Sequence, residues 1–538
     1  MVGTEVLIVG AGPVGLTAAI ELARRGVACR IVDALPEPPR YAKAVGIQPR
    51  TLEVFEGLGV LRRILDASIQ LHGQRVYVNG DEVARTELTV PADVPYAFIG
   101  LPQYVTERIL RERLAETGVR IERATELTTF QQDDSGVRVV LATADGERTV
   151  DTQFLIGCDG AHSIVRKTLG LSFEGAAFAE QYMLGDVELD WSLPHGYGIR
   201  STHRTEGVTD DLLVCIPLPG RGRYRVSMLV PDELAIAATT DRDGLGQRFG
   251  SGPAPQLRHI QAVLDRLAPE PVTASRLRWS SVFRISHRIV DSYARGRVFV
   301  AGDASHIHPP TGAQGMNTGI QDAHNLAWKL ALAVSGDSAP QLPASYDAER
   351  RPVGEEVVGR TVRSAREGIG AGESDPDLVI RREAQLLIDY GDSPIVVRAA
   401  DGSQGPRAGV RAPDATGLTR GAVTFPIRLF SLLGRTDHTL LLYAGDSTRT
   451  EIGSMEELAG AARRRAHRQL DVYLIAAPGA QVDETLLPVV RDRDGAFARG
   501  YGATDGAVYV VRPDGYLGYV GHGAAPVDLT RYLSSTFR

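Results

Sequence analysis

A chain of 538 residues, 43% hydrophobic and 23% charged, is long enough for roughly three units with their own cores. Its net charge of -7 gives no basic field to gather nucleic acid, and the short basic run RRRAHR at 463–468 reads as a solvated helix face. Three scattered cysteines, Cys29, Cys158 and Cys215, form no CxxC and fit a reducing compartment; the longest uncharged stretch, VLIVGAGPVGLTAAI, is shorter than the ~18 residues a membrane span needs. With no signal-peptide pattern either, a cytoplasmic protein that binds no membrane is expected.

EVLIVGAGPVGLTAAIELARRGVACRIVDA predicts a strand over 5–9, a glycine turn, a helix over 13–25 and a strand over 28–33, a βαβ unit. Helices around Arg50 to Leu58 and Val105 to Thr117 follow, then alternating strands over 119–150 with DGER as a hairpin turn, and the strand TQFLIG. From Tyr182 to Val230 the text changes to strand-like runs (YMLGDVELDW, GYGIRST, DLLVCIPL, RYRVSMLV) that predict an antiparallel meander, a candidate substrate sheet. RLRWSSVFRISHRI leads back to RVFVAGD, so the first domain is read as discontinuous: 1–174 and 286–400, with 175–285 inserted and 76–100 contributing to the insert. A Gly/Pro-rich linker at 401–417 precedes a C-terminal α/β sandwich, assigned to 405–538.

Gly10, Gly12 and Gly15 form GxGxxG, with Pro13 and Val14 inside it, between a strand and a helix; this is where glycines turn the chain, admit a pyrophosphate and let helix and strand pack. Asp33 ends the second strand, about 20 residues further on, where an acid accepts ribose hydroxyls. An acid there suits an unphosphorylated ribose, favouring FAD or NAD as the tightly held dinucleotide. GCDGAHSIVRKTLG places Asp159 at a second strand end, although Asp and Ser are also ordinary helix caps. GDASHIHPPTGAQGMNTGIQDAHNLAWKL leaves a third strand with Asp303, stiffens at Pro309 and Pro310, and opens at Gly312 and Gly315 before a helix near Met316 and Asn317 whose first amides favour negative charge. His306, His308 and His324 lack metal-ligand spacing, so no metal is expected, and no GxSxG elbow appears.

These three motifs, in this order and spacing, resemble the single-component FAD-dependent aromatic hydroxylases, and within them the phenol-hydroxylase and polyketide-hydroxylase branch. The likeness is strongest over 4–170 and 280–352. It implies an α/β fold: a Rossmann-like FAD-binding domain, an inserted antiparallel-sheet substrate domain and a thioredoxin-like C-terminal domain. It further implies noncovalent FAD held by Gly10, Gly12, Pro13, Val14, Gly15, Asp33, Asp303, Pro310, Gly315, Met316 and Asn317, with Arg50, Gln103, the Leu127 backbone and Asp159 as further cofactor contacts. NADPH or NADH would visit transiently, since only one dinucleotide fingerprint is present. The implied chemistry is hydroxylation of an aromatic ring, expected to be a multi-ring, polyketide-like phenol, by a flavin C4a-hydroperoxide formed from dioxygen.

The resemblance would place an acid just before GIQPR, where this chain has Val45, so no general base is assigned. Tyr224 and Arg225 are conceivable substrate contacts, and Trp191, Tyr197 and Tyr224 offer apolar surface. Residues 405–538 contain no cysteine, so dithiol chemistry is excluded there, and packing or formation of a homodimer is the expected role. Two other activities remain open at this level: Baeyer-Villiger oxidation on the same flavin, and a flavin-bearing binding protein without turnover.

Overall fold

The computed structural model describes residues 4–39, 44–235, 254–367, 373–397, 405–433, 436–446, 452–482, 485–521 and 526–538. The first four residues of the expected linker, 401–404, lie outside the described residues. Strand Thr4–Val9 is an apolar run, buried at its carboxyl end, and it pairs in parallel with Cys29–Val32 on one side and Gly146–Gly157 on the other. Val298–Val300 adds beyond Gly146–Gly157, and Ile121–Glu122 beyond Cys29–Val32, both in parallel. Four polypeptide turns therefore leave the same edge of one sheet, at Gly10, Asp33, Cys158 and Ala301. Parallel strands of this kind are buried on both faces. Here the cover is supplied by helix Pro13–Ala23, which packs against helices Gln103–Glu116 and Gln314–Ser335.

A second sheet of eight strands runs in the order His306–Ile307, Ala274–Val290, Phe173–Leu189, Arg223–Leu229, Val208–Pro217, Tyr197–Thr205, Gly73–Val78, Asp81–Glu87. Its pairings are antiparallel except that Gly73–Val78 runs parallel to Tyr197–Thr205. Side-chain alternation gives this sheet two different faces. Met183, Val187, Ile199, Leu213, Cys215, Tyr224, Val226, Met228 and Val282 form an apolar cluster with Ile260, Val263 and Leu264 of helix Leu257–Leu267, which covers one face. That helix was not legible as a separate element. Two ties join this sheet to the first unit: Ile289 pairs with His306, which follows the turn after Val298–Val300, and the Pro217 carbonyl oxygen lies 3.0 Å from the position a methyl on Gly100 would take, on strand Ile99–Gly100 of a small sheet with Gly46–Ile47 and Ile69–Gln70.

A third sheet, in the order Leu418–Arg420, Val489–Asp492, Leu470–Ala476, His438–Ala444, Val508–Val511, Leu517–Gly521, has parallel central strands and antiparallel margins. It docks on the first unit through buried charges. Arg512 donates to both oxygens of Glu349, at 2.7 and 2.8 Å, while the Asp514 carboxylate accepts from Trp328 Nε1 and Asn325 Nδ2, each at 3.1 Å. Lys329 Nζ reaches Glu349 at 2.7 Å. Burial alone would raise the Glu349 carboxyl, but Arg512 and Lys329 beside it overcome this and hold it well below its ordinary range. Asn325, Trp328 and Lys329 all belong to helix Gln314–Ser335, so the third unit grips the far half of the helix whose start forms part of the site below.

Candidate functional site

Each turn leaving the first sheet is shaped by a specific residue. Gly10 has φ +100°, and a side chain there would put its first carbon 2.6 Å from the Cys158 carbonyl carbon and 3.0 Å from the Asp159 nitrogen. Only glycine fits between these two strand ends. At Gly15 a methyl would lie 3.1 Å from the Gly10 carbonyl carbon and 3.4 Å from Cys158 Cβ, and closer still to the Gly10 oxygen, so this glycine lets the helix sit on the turn. Gly12 differs from both. It precedes helix Pro13–Ala23 in extended backbone, with Pro13 opening the helix, and a methyl there meets nothing within 4 Å. An open position at a helix start with free amides is a cradle sized for an anion.

Asp33 faces this cradle. Its Oδ2 accepts from Ala11 N at 2.7 Å, and its Oδ1 accepts from Leu35 N at 2.9 Å and lies 3.3 Å from Arg123 Nη1. The neighbouring Thr125 N donates to the Asp33 carbonyl at 3.0 Å, which brings the start of strand Glu126–Gln132, with Leu127 buried on it, beside the Asp33 turn. On the adjacent strand end Asp159 Oδ2 accepts from Ile164 N at 2.7 Å and Val165 N at 3.1 Å, capping the short helix that follows. Its Oδ1 is enclosed without a hydrogen-bond partner among the described residues, and burial raises this carboxyl. Arg166, 2% exposed, donates to Ala161 O at 2.8 Å and Ala304 O at 3.3 Å, joining the second turn to the third.

In the third turn Asp303 is exposed and makes no hydrogen bond among the described residues. Behind it Asp322 forms the rigid backing: its Oδ2 accepts from Gly302 N at 3.2 Å and lies 2.8 Å from His306 Nε2, and its Oδ1 accepts from Arg350 Nε at 2.7 Å. Burial would raise Asp322, but Arg350 and His306 bring it below the usual carboxylate value. Pro310 is exposed at the entry to the turn Thr311–Ala313, and helix Gln314–Ser335 begins after Ala313 in a left-handed conformation, φ +55°. The helix therefore starts two residues before the expected Met316. Gly315 and Met316 lie half-buried in its first turn. Asn317 is fully buried and ties this turn to strand Gly46–Ile47: Nδ2 donates to Gly46 O at 3.0 Å and to Ala313 O at 2.6 Å, and Oδ1 accepts from Gln48 N at 3.1 Å. His308 packs beside Gly315, its Nε2 without a partner among the described residues, and burial lowers it to about 4, so it is neutral at neutral pH.

Arg50, Tyr224 and Arg225 lie apart from this edge, whereas Gln103 bonds Glu107, which is close enough to Asp33 and Arg123 to feel their charges. Arg50, 4% exposed, points to the third unit: Nη1 pairs with Glu53 Oε2 at 2.5 Å, Nη2 donates to the Asp514 carbonyl, and the guanidinium lies 4.9 Å over the Tyr516 ring. Gln103 opens helix Gln103–Glu116, with Oε1 accepting from Ala44 N at 3.3 Å and Nε2 donating to Glu107 at 2.8 Å. Tyr224 is enclosed in the cluster under helix Leu257–Leu267, 5.1 Å edge-on from Trp191, and Tyr197 bonds Glu87 at 2.8 Å. Those three rings share no single open surface. Arg225 points to the opposite face, paired with Asp186 and lying 4.7 Å over Trp279, whose Nε1 donates to Asp186 at 3.0 Å. Val45 is buried, its carbonyl accepting from Leu101 N at 2.9 Å. Sequence reasoning missed Gln48, Asp322, Arg350 and the face carrying Tyr182 and Phe283, because long-range pairing rather than local pattern assembles them.

The residues present fit a dinucleotide. The open cradle at Gly12, the unpartnered Asp159 Oδ1 and the uncommitted Asp303 carboxylate follow strands of one sheet, and Gln48 Oε1 and His308 Nε2, beside the start of helix Gln314–Ser335, are enclosed without partners among the described residues. Among the described residues no cluster of His, Cys, Asp and Glu could hold a metal ion, and no helix is long and apolar enough to cross a membrane.

A family model described as FAD binding domain matches residues 3–361. The 6-methylpretetramide 4-monooxygenase of Streptomyces rimosus is 32% identical, the alignment covering 99% of this chain and 93% of that protein. The pentachlorophenol 4-monooxygenase of Sphingobium chlorophenolicum is 31% identical over 97% of this chain and 94% of its own. Among solved structures, the flavin-dependent monooxygenase PieE in complex with FAD and substrate matches at a TM-score of 0.81 and 23% identity over 99% of each chain, a likeness of fold.

Proposed function

The chain belongs to the FAD binding domain family and is a flavin-dependent monooxygenase; from that premise we propose that it hydroxylates a multi-ring phenol held between the first two sheets. The observation that carries this reading is the convergence of Gly12, Asp33, Asp159 and Asp303 at one edge of the first sheet, where its parallel strands end. In this reading the amides after Gly12 hold the FAD pyrophosphate, Asp33 takes the adenosine ribose, Asp303 reaches the ribityl or pyrophosphate, and the first turn at Gly315, Met316 and Asn317 meets the pyrimidine edge of the flavin. When bound, FAD takes a hydride from NADPH or NADH and passes one atom of dioxygen to the substrate.

This chain's own residues do the rest. The positive end of helix Gln314–Ser335 favours negative charge at the pyrimidine edge, and Asn317, with its three hydrogen bonds, fixes that end against Gly46 and Gln48. The sheet face with Tyr182, Leu184, Phe283 and Leu229 offers broad apolar surface that excludes water and holds a ring system by area. Val45 brings no acid to the site, so a phenol acidified by conjugation suits it better than a simple one. In the same reading residues 1–174 and 286–400 form a Rossmann-like FAD domain around the inserted 175–285, joined by 76–100. Residues 405–538 form a thioredoxin-like unit without dithiol chemistry, whose role is docking or dimer formation in a soluble, cytoplasmic enzyme.

NADPH and NADH consumption by the holoenzyme, measured with phenol and with a tetracyclic phenol and compared with product formed, tests this. Coupled hydroxylation of the tetracycle with little of phenol is expected. Efficient hydroxylation of phenol with the tetracycle inert would overturn the substrate reading, and a ring-expanded ester or lactone would favour Baeyer-Villiger oxidation.

A further inference from the structure

On the face of the second sheet opposite helix Leu257–Leu267, one cation stands apart. Arg200, on strand Tyr197–Thr205 between Val76 and Val214, is half-buried and makes neither an ion pair nor a hydrogen bond among the described residues. Its neighbours in sequence fix the direction it takes: Ile199 belongs to the cluster under helix Leu257–Leu267, so Arg200 alternates to the opposite side. That side carries Tyr182, Leu184, Ser227, Leu229 and Val214, in register across three strands, and Tyr182 lies 5.8 Å ring to ring from Phe283. Strand Arg223–Leu229 sends two more arginines to this face, and both are engaged: Arg225 is neutralised by Asp186, 2% exposed in its side chain like its partner, and Arg223 donates to Pro219 O at 3.0 Å and to the Tyr104 hydroxyl at 3.3 Å.

A guanidinium removed from water without a counter-ion is costly, and such arginines are normally paired. Burial, with repulsion from Arg204 added, lowers Arg200 from its ordinary value, and the Tyr182 phenol is close enough to offset part of this. An anion seated on the apolar face would remove that cost. We propose that Arg200 anchors an ionised oxygen carried by the aromatic substrate, holding the ring system flat on the Tyr182–Phe283 face. This inference rests on the reading that the face receives an aromatic substrate, and it deepens it: the substrate is an acidic aromatic, bound as its anion. The planar fork of arginine suits two-point contact with a carboxylate or with paired oxygens of an enolised ring.

The test uses the FAD-loaded enzyme and follows perturbation of the flavin absorbance at neutral pH during titration with 2-naphthol, which is neutral, 2-naphthoate, a carboxylate, and pentachlorophenol, ionised as a phenolate. Arg200→Gln should weaken binding of the anions about ten- to a hundred-fold, the range of a charge-assisted hydrogen bond, and leave 2-naphthol within about twofold. Arg200→Lys, which keeps the charge but loses the fork, should fall between the wild type and Arg200→Gln for the anions, and FAD content should be unchanged in both. Loss for one anion alone would support the anchor and identify which oxyanion it takes. Wild-type affinity for both anions in Arg200→Gln would overturn the assignment of Arg200 alone. Failure of the wild-type enzyme to bind any of the three would overturn the aromatic cleft itself, and the anchor with it.

Discussion

Two alanine substitutions in the same glycine turn should have opposite signatures. Gly12 has φ -77°, ordinary for any residue, and an added methyl meets no protein atom within 4 Å, so Gly12→Ala should cost at most about 1 kcal/mol, the preference for glycine over alanine at a helix start. The methyl instead enters the cradle assigned to the pyrophosphate. Overpacking of about 1–3 kcal/mol in the complex corresponds to an FAD affinity lower by roughly five- to 150-fold. At Gly15 the added methyl meets backbone, 3.1 Å from the Gly10 carbonyl carbon, which cannot swing aside as a side chain would. Gly15→Ala should therefore lose about 3 kcal/mol or more of stability along with its FAD. Thermal unfolding of the two apoproteins, with fluorescence titration of FAD into each, separates the effects. A Gly12→Ala protein that binds FAD with wild-type affinity would refute the cradle, and one as unstable as Gly15→Ala would refute the open geometry.

Asp303→Ala should leave stability within about 0.5 kcal/mol, since the side chain is exposed and unbonded, yet weaken FAD; unchanged FAD affinity would remove Asp303 from the site. Arg512→Met takes the arginine from buried Asp514 and leaves buried Glu349 with Lys329 alone, and should cost about 3–5 kcal/mol, read by urea unfolding; a near wild-type midpoint would mean that the docking of the third unit rests on its apolar contacts. Burial raises the Glu349 and Asp322 carboxyls, but neighbouring cations pull both below their unfolded values, so they bind fewer protons folded than unfolded as the solution is acidified. Their contribution is full above about pH 4.5 and falls as pH drops from there; a stability that rises on acidification would contradict it.

The turns were legible because each is written locally. A run of apolar β-formers, then glycine or aspartate, marks a strand end wherever it occurs, and Thr4–Val9, Cys29–Val32, Gly146–Gly157 and Val298–Val300 fall where the alternation of strand and turn residues places them. That they are sheet neighbours follows from pairing that no local pattern encodes. Arg50 shows the limit: the resemblance carried by GIQPRTLE makes it a cofactor contact, but Glu53, Asp514 and Tyr516, the last two more than 400 residues away, claim its guanidinium. Tyr224 and Arg225 are adjacent, so a strand must send them to opposite faces, and only the position of helix Leu257–Leu267 decides which of the two is sealed in apolar contacts. Arg200 carried no signal at all, since an unpaired arginine is recognised only once its surroundings are known.

With FAD seated at the sheet edge, this chain is expected to insert one oxygen atom from dioxygen into an aromatic ring. The most direct test is turnover of a multi-ring phenol by the purified holoenzyme with NADPH or NADH under oxygen-18 gas, followed by mass spectrometry of the product. One labelled atom per product, on a ring carbon and absent when the label is supplied as water, is the predicted result. Nicotinamide oxidation that yields only hydrogen peroxide for every multi-ring phenol offered, or a product whose new oxygen comes from water, would contradict it.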